Sequence, residues 1–72
     1  MVKPTKVTNN IRALREAEGL TQAELARRIG VTRQTLIAIE QGKYSPTLEL
    51  AFQISRVFVA GLDEVFQYPE AE

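Results

Sequence analysis

Four glycines, at positions 19, 30, 42 and 61, each close a stretch with helical patterning. Glycine is the usual residue just past a helix C-terminus, because it enters the left-handed region without strain. This punctuation restricts the chain to short helices. The first stretch, residues 10–18 (NIRALREAE), puts Ile11 and Leu14 on one face with Ala17 completing the stripe, and Asn9 or Asn10 can cap it. The second, residues 21–29 (TQAELARRI), opens with Thr21 and Glu24 in capping-box spacing and buries Leu25, Ala26 and Ile29. The third, residues 32–41 (TRQTLIAIEQ), starts at the cap Thr32 and turns Leu36 and Ile39 inward.

GKYSP reads as a turn. Ser45 then caps a fourth helix, with Pro46 in its first position, where a missing N–H costs nothing. Its buried face is expected at Leu48, Ala51 and Phe52, continued by Val57 or Phe58. A short fifth helix over residues 62–66 carries Asp63 and Glu64 in its first turn, where the helix dipole favours them. At the ends, Phe66 and Tyr68 alternate with Gln67. That permits a strand, and a frayed tail equally. The expected fold class is all-α, five helices over residues 1–72, with a two-stranded antiparallel ribbon of the termini as an option.

Size and composition exclude several classes of function. Seventy-two residues make one domain. A domain this small buries only about 60% of the surface its unfolded chain exposes. With no cysteine and no histidine, a disulfide or thiolate metal site is ruled out and the commonest nucleophiles and bases are missing. No carboxylate pair or phosphate-binding glycine loop is visible, so neither an enzyme nor a cofactor is expected. No apolar run approaches a membrane span, and MVKPTKVTNN lacks the hydrophobic segment of a signal peptide. A cytoplasmic location is expected, with no membrane partner. Net charge is zero, which taken alone argues against nucleic acid. The distribution differs: residues 1–43 hold eight basic and four acidic side chains, residues 44–72 one basic and five acidic. A basic half can face phosphate while the acidic half points away, although chance variation in a short chain gives the same count.

Two short helices joined by Gly30-Val31-Thr32 span residues 21–41. Gly30 permits the reversal, Val31 can plug the angle, and Ala26 lies near the closest approach, where a large side chain would push the helices apart. Such corners are common in helical proteins. The side chains favour DNA. Arg33, Gln34, Thr35 and Ala38 are the expected exposed positions. Arginine suits guanine O6 and N7, glutamine suits adenine N6 and N7, and the first turn of this helix is the part that reaches base edges. Gln22, beside the free amides of a helix N-terminus, suits a phosphate oxygen. The expected phosphate-contacting set is Gln22, Thr21, Thr32, Lys43, Arg12 and Arg28, with Arg27 as a further candidate.

With these features in order, residues 10–66 resemble the Cro/C1-type (lambda repressor-like) helix-turn-helix family. The matching stretches are IRALREAEGLTQAELARRIGVTRQTLIAIEQGKYSPTLELAFQISRVF and LDEVF. The resemblance implies that Gln22 clamps phosphate and that Arg33 and Gln34 read bases. Thr35 matches a backbone or base contact, and Ala38 a base-reading position where alanine offers only an apolar touch. It places Gly42 and Lys43 where a backbone N–H and a side chain approach phosphate. It also pairs Arg15 with Glu40 across the first and third helices. The ending YSPTLELAFQISRVFVAGLDEVFQYPE is similar to small stand-alone repressors, including cytolysin-type repressors. Those form dimers, some with an N-terminal strand on a C-terminal one, which implies residues around Lys6–Thr8 against Phe66–Tyr68.

The expected partners are therefore double-stranded DNA with a palindromic operator and a second copy of the chain. Residues 58–69 form the expected dimerisation region, through Leu62, Val65, Phe66 and Tyr68, with Phe58 either joining them or finishing the core. No small-molecule effector is expected. The alternative is an antitoxin-like or other protein-interaction module with secondary DNA binding. Such a module would tolerate loss of Arg33 and Gln34, and a repressor would not.

Overall fold

In the computed structural model, which describes residues 5–43 and 45–69, the elements run β1 (Thr8–Asn9), α1 (Ile11–Ala17), α2 (Gln22–Ile29), α3 (Arg33–Glu40), α4 (Leu48–Val57), α5 (Leu62–Val65) and β2 (Phe66–Gln67). Local chemistry sets the starts. Thr21 accepts the amide of Glu24 at 3.1 Å while the Glu24 carboxylate accepts the amide of Thr21 at 2.8 Å, a complete capping box. Thr32 caps α3 through the amide of Thr35 at 3.1 Å. The fourth helix starts later than Ser45 and Pro46 suggested: Thr47 is its cap, accepting the amide of Leu50 at 3.2 Å. Of the expected GKYSP turn, Tyr44 lies outside the described residues.

The helices bury one shared cluster of Ile11, Leu25, Ala26, Ile29, Leu36, Ile39, Ile54 and Val65. Ala26 sits in the α2–α3 corner at 2% exposure, and Val31 packs half-buried against the cluster. The stripe on α1 is not the one expected. Ala17 is exposed and Arg15 is buried in its place. Arg15 follows Ile11 by one turn, and its guanidinium finds a carboxylate inside. On α4 the inward face is Ala51, Ile54 and Ser55, flanked by Leu50, Val57 and Phe58. Leu48 and Phe52 fall at the edge of that face, 66% and 50% exposed, contrary to the expected burial.

The ends of the helices correct a second expectation. Gly30, at φ 75°, lets Val31 donate to the carbonyl of Ala26 at 3.0 Å and so turns the chain into α3. The equivalent residue after α4 is Val59, at φ 51°, with Ala60 donating to the carbonyl of Ser55 at 3.0 Å. Gly61 does not close that helix. It has φ −71° and caps α5, its amide donating to the Glu64 carboxylate at 2.6 Å.

The termini do form strands. β1 and β2 pair antiparallel, Thr8 with Gln67 and Asn9 with Phe66. The ribbon lies further along than Lys6–Thr8 because two asparagines anchor it. The Asn9 amide nitrogen donates to the carbonyl of Ile39 at 2.9 Å, and that of Asn10 to the carbonyl of Glu64 at 3.1 Å. The N-cap of α1 is Asn10, whose side chain makes no capping bond; the Asn9 amide oxygen instead accepts the amide of Ile11 at 3.1 Å. Val65 is completely buried, so it belongs to the core and not to a contact surface. Phe58 packs, partly buried, against the same core.

Candidate nucleic-acid interface

The first turns of α2 and α3 open beside one another. Between them and α1 lies a groove whose lining includes Arg12, Gln22, Ala23, Arg33, Ile37 and Glu40. The amides of Gln22 and Ala23 lie in the first turn of α2, where no preceding helical carbonyl can meet them. They supply donors with the positive end of the helix dipole behind them. Arg33 and Gln34 are both exposed at the start of α3.

The floor of the groove is a chain of hydrogen bonds. Arg15 grips Glu40 with two nitrogens, Nε to Oε2 at 2.9 Å and Nη2 to Oε1 at 3.4 Å. Its third hydrogen bond, from Nη1, reaches the carbonyl of Leu20 at 3.0 Å. The two side chains are 11% and 5% exposed, so the pair is largely desolvated. Gln22 donates through Nε2 to Glu40 Oε1 at 3.2 Å, which turns its amide oxygen outward. That oxygen accepts Arg33 Nη2 at 3.3 Å. One continuous line thus runs from a buried ion pair to an exposed arginine. Glutamine fits the relay because its amide donates on one side and accepts on the other. Its nitrogen keeps a second hydrogen for another acceptor.

The remaining expected residues divide. Thr21 and Thr32 are engaged as caps, and Thr32 also donates to the hydroxyl of Thr35 at 2.9 Å. Thr35 is half-buried and keeps its own hydroxyl proton to donate. Ala38 is half-buried on α3. Arg12 lines the groove but leans on Glu16 at 3.2 Å, both side chains being well exposed, which makes a weak pair. Arg27, Arg28 and Lys43 are exposed. The backbone amides of Gly42 and Lys43 are spent on the carbonyls of Ile39 and Ala38, each at 3.0 Å. Among the described residues, the Lys43 side chain is what is left for an anion there.

Three participants escaped the sequence reading. Ile37 and Gln41 follow Arg33 at one-turn intervals and line the same groove. That spacing was the available signal. Asn9 binds the last turn of α3 from β1, a long-range contact with no signature in the sequence.

Three comparisons bear on what this arrangement belongs to. A family model described as helix-turn-helix matches residues 11–65. An uncharacterized HTH-type transcriptional regulator of Methanocaldococcus jannaschii is 45% identical over 64 residues, covering 89% of this chain and 97% of that protein. The antitoxin PezA of Streptococcus pneumoniae is 35% identical over 65 residues, but these span only 41% of that protein. Among solved structures, a Bacteroides fragilis protein superposes with a TM-score of 0.76 at 16% identity over 85% of this chain and 98% of that one, a likeness of fold alone. The restriction-modification controller protein C.AhdI of Aeromonas hydrophila gives a TM-score of 0.70 at 27% identity, over 76% of this chain and 83% of that one. The family match spans all five helices, and the chain belongs to the Cro/C1-type helix-turn-helix family of transcriptional regulators.

Proposed function

We propose that the chain binds a palindromic DNA operator as a symmetric homodimer and represses transcription by occupying it. The observation that carries this reading is the exposure of Arg33 and Gln34 at the start of α3, with Gln22 held beside them by Glu40. Arginine and glutamine here are the two side chains suited to guanine and adenine edges. The amides and Gln22 of α2, with Arg12, Arg28 and the Lys43 side chain, provide backbone contacts that fix register. A single copy offers too few base contacts to be selective. Two recognition helices about 34 Å apart would read the two halves of a palindrome. The ribbon and α5 supply part of the dimer surface, through Leu62, Phe66 and Tyr68. Repression is the simplest output of a protein bound over a promoter. The protein would act in the cytoplasm, as a regulator and not an enzyme.

The test is selection of bound duplexes from a random pool, followed by titration of the best duplex with wild type, Arg33→Ala and Gln34→Ala. The expected result is a palindromic consensus and a loss of about 1–3 kcal/mol per substitution in each half-site, with specificity relaxed at defined bases. The absence of any enriched site would sink the proposal. A protein indifferent to both substitutions would instead fit the antitoxin-like alternative.

A further inference from the structure

The outer face of α4 carries the exposed Leu48 and Phe52 and is uncovered by the other described residues. Leu48, Glu49, Phe52, Gln53 and Arg56 line a shallow groove there. Leu48 also lines a recess with Pro46, Leu62 and Phe66, which continues past Val7 to Tyr68. Tyr68 is 68% exposed. The result is one apolar strip running from Phe52 through Leu48 to the ribbon. A monomer has no use for such a strip, and strips of this kind rimmed by polar groups mark interaction surfaces.

The charges on α4 identify what covers it. Glu49, Phe52, Gln53 and Arg56 recur at three- and four-residue spacing and form one stripe. Phe52 is at its centre, the carboxylate one turn before and the guanidinium one turn after. Among the described residues neither Glu49 nor Arg56 forms an ion pair within the chain. A two-fold axis between Phe52 and Gln53 would run two α4 helices antiparallel and set Glu49 of each copy opposite Arg56 of the other. A surface that complements itself under a two-fold is the signature of an isologous contact. An acidic or a basic foreign partner would satisfy only one of the two charges. A stable dimer buries about 800 Å² per partner. A ten-residue helix, only about 15 Å long, does not provide that alone, so the contact has to continue along the strip to Leu62, Phe66 and Tyr68.

We infer that a second copy of the chain packs its α4 antiparallel on this face, with Leu48 and Phe52 as buried anchors and reciprocal Glu49–Arg56 pairs at the rim. The inference rests on the dimer reading above and moves the centre of the interface from α5 to α4.

Sedimentation equilibrium without DNA tests it, with circular dichroism to verify that each variant is folded. Phe52→Glu is expected to raise the dimer dissociation constant by about thirtyfold or more, as for a central aromatic anchor. Glu49→Arg and Arg56→Glu should each raise it about tenfold, and the double exchange should return it to within about threefold of wild type. Because the chain has no cysteine, Gln53→Cys provides a single reporter that a short bismaleimide should link into a covalent dimer. A dimer broken by Tyr68→Glu but untouched by the α4 variants overturns this inference and leaves the dimer reading standing. A wild-type chain that stays monomeric at all concentrations overturns both. The duplex-binding test with Arg33→Ala is independent of either result.

Discussion

At the scale of single residues, the line Arg15–Glu40–Gln22–Arg33 separates stability from orientation. Removing one member of a desolvated ion pair strands the other, so Glu40→Ala should cost about 3–5 kcal/mol in urea unfolding. Replacing both, as in Arg15→Met with Glu40→Leu, should leave stability close to wild type, because apolar groups of similar size fill such sites without a desolvation cost. The double variant nevertheless takes from Gln22 the acceptor that holds it at 3.2 Å, and from Arg33 the oxygen that Gln22 presents. It should fold normally and discriminate poorly between operator and mismatched duplex, measured by competitive titration. Wild-type discrimination in that variant would mean that the relay does not orient Arg33 for binding. The pairing of Arg15 with Glu40 was legible only through family resemblance, since 25 positions separate the two in sequence. That Gln22 joins the pair to Arg33 was not legible, because glutamine at a helix start carries no mark of which way its amide turns.

At the scale of elements, the caps make α2 pH-sensitive at its start and α4 strained at its end. The Glu24 carboxylate has its pKa lowered, first by the hydrogen bond from the Thr21 amide, then by that with the Thr21 side chain, against a small opposing effect of burial. A carboxyl depressed by folding contributes stability that is present above its unfolded pKa and lost as pH falls through its folded pKa. The contribution should therefore begin to fall below about pH 4.5 and be gone once the pH is under the lowered folded value, while Glu24→Gln, which keeps the geometry without the charge, shows no such step. Acid titration of unfolding for both proteins checks this, and parallel curves would refute it. At the other helix, Val59 holds φ 51° at 93% exposure. A β-branched residue pays about 1–2 kcal/mol for the left-handed region, and glycine returns part of that through its freer unfolded chain. Val59→Gly should thus raise stability by about 0.5–1 kcal/mol in thermal or urea unfolding. These two helices also show what sequence patterning resolves. Starts were readable at Thr21 and Thr32, where a threonine hydroxyl meets an amide three residues on, but the same device at Thr47 was missed because Ser45 and Pro46 offered an earlier start. The end of α4 was misplaced to Gly61 because only glycine signals a left-handed turn and this turn uses valine. The inward face of α4 was misread at Leu48 and Phe52 because apolar residues occur on both sides of the helix, and pattern alone does not tell a core from a contact surface.

At the scale of the molecule, zero net charge and DNA binding are reconciled by screening. The described chain measures 35 × 27 × 21 Å, and the basic excess lies in residues 1–43, the acidic excess after them. At 0.1 M salt the Debye length is about 10 Å, so carboxylates further than that from an operator touching α2 and α3 are screened from it. At 0.01 M it is about 30 Å, comparable to the molecule, and those carboxylates begin to repel the phosphates. If Arg12, Arg28 and Lys43 each meet one phosphate in each copy, log K should fall with log salt at a slope of about −5 between 0.1 and 0.3 M. Lys43→Ala, removing one contact per copy, should flatten that slope by about 2, while Gln34→Ala weakens binding without changing it. Below about 0.03 M the plot should bend and become shallower as the acidic half comes within range of the DNA. Fluorescence anisotropy of a labelled operator across this salt range measures all three quantities. A plot that stays straight down to 0.01 M would show that the acidic half has no influence on the DNA, and its separation from the basic half would then carry no consequence for binding.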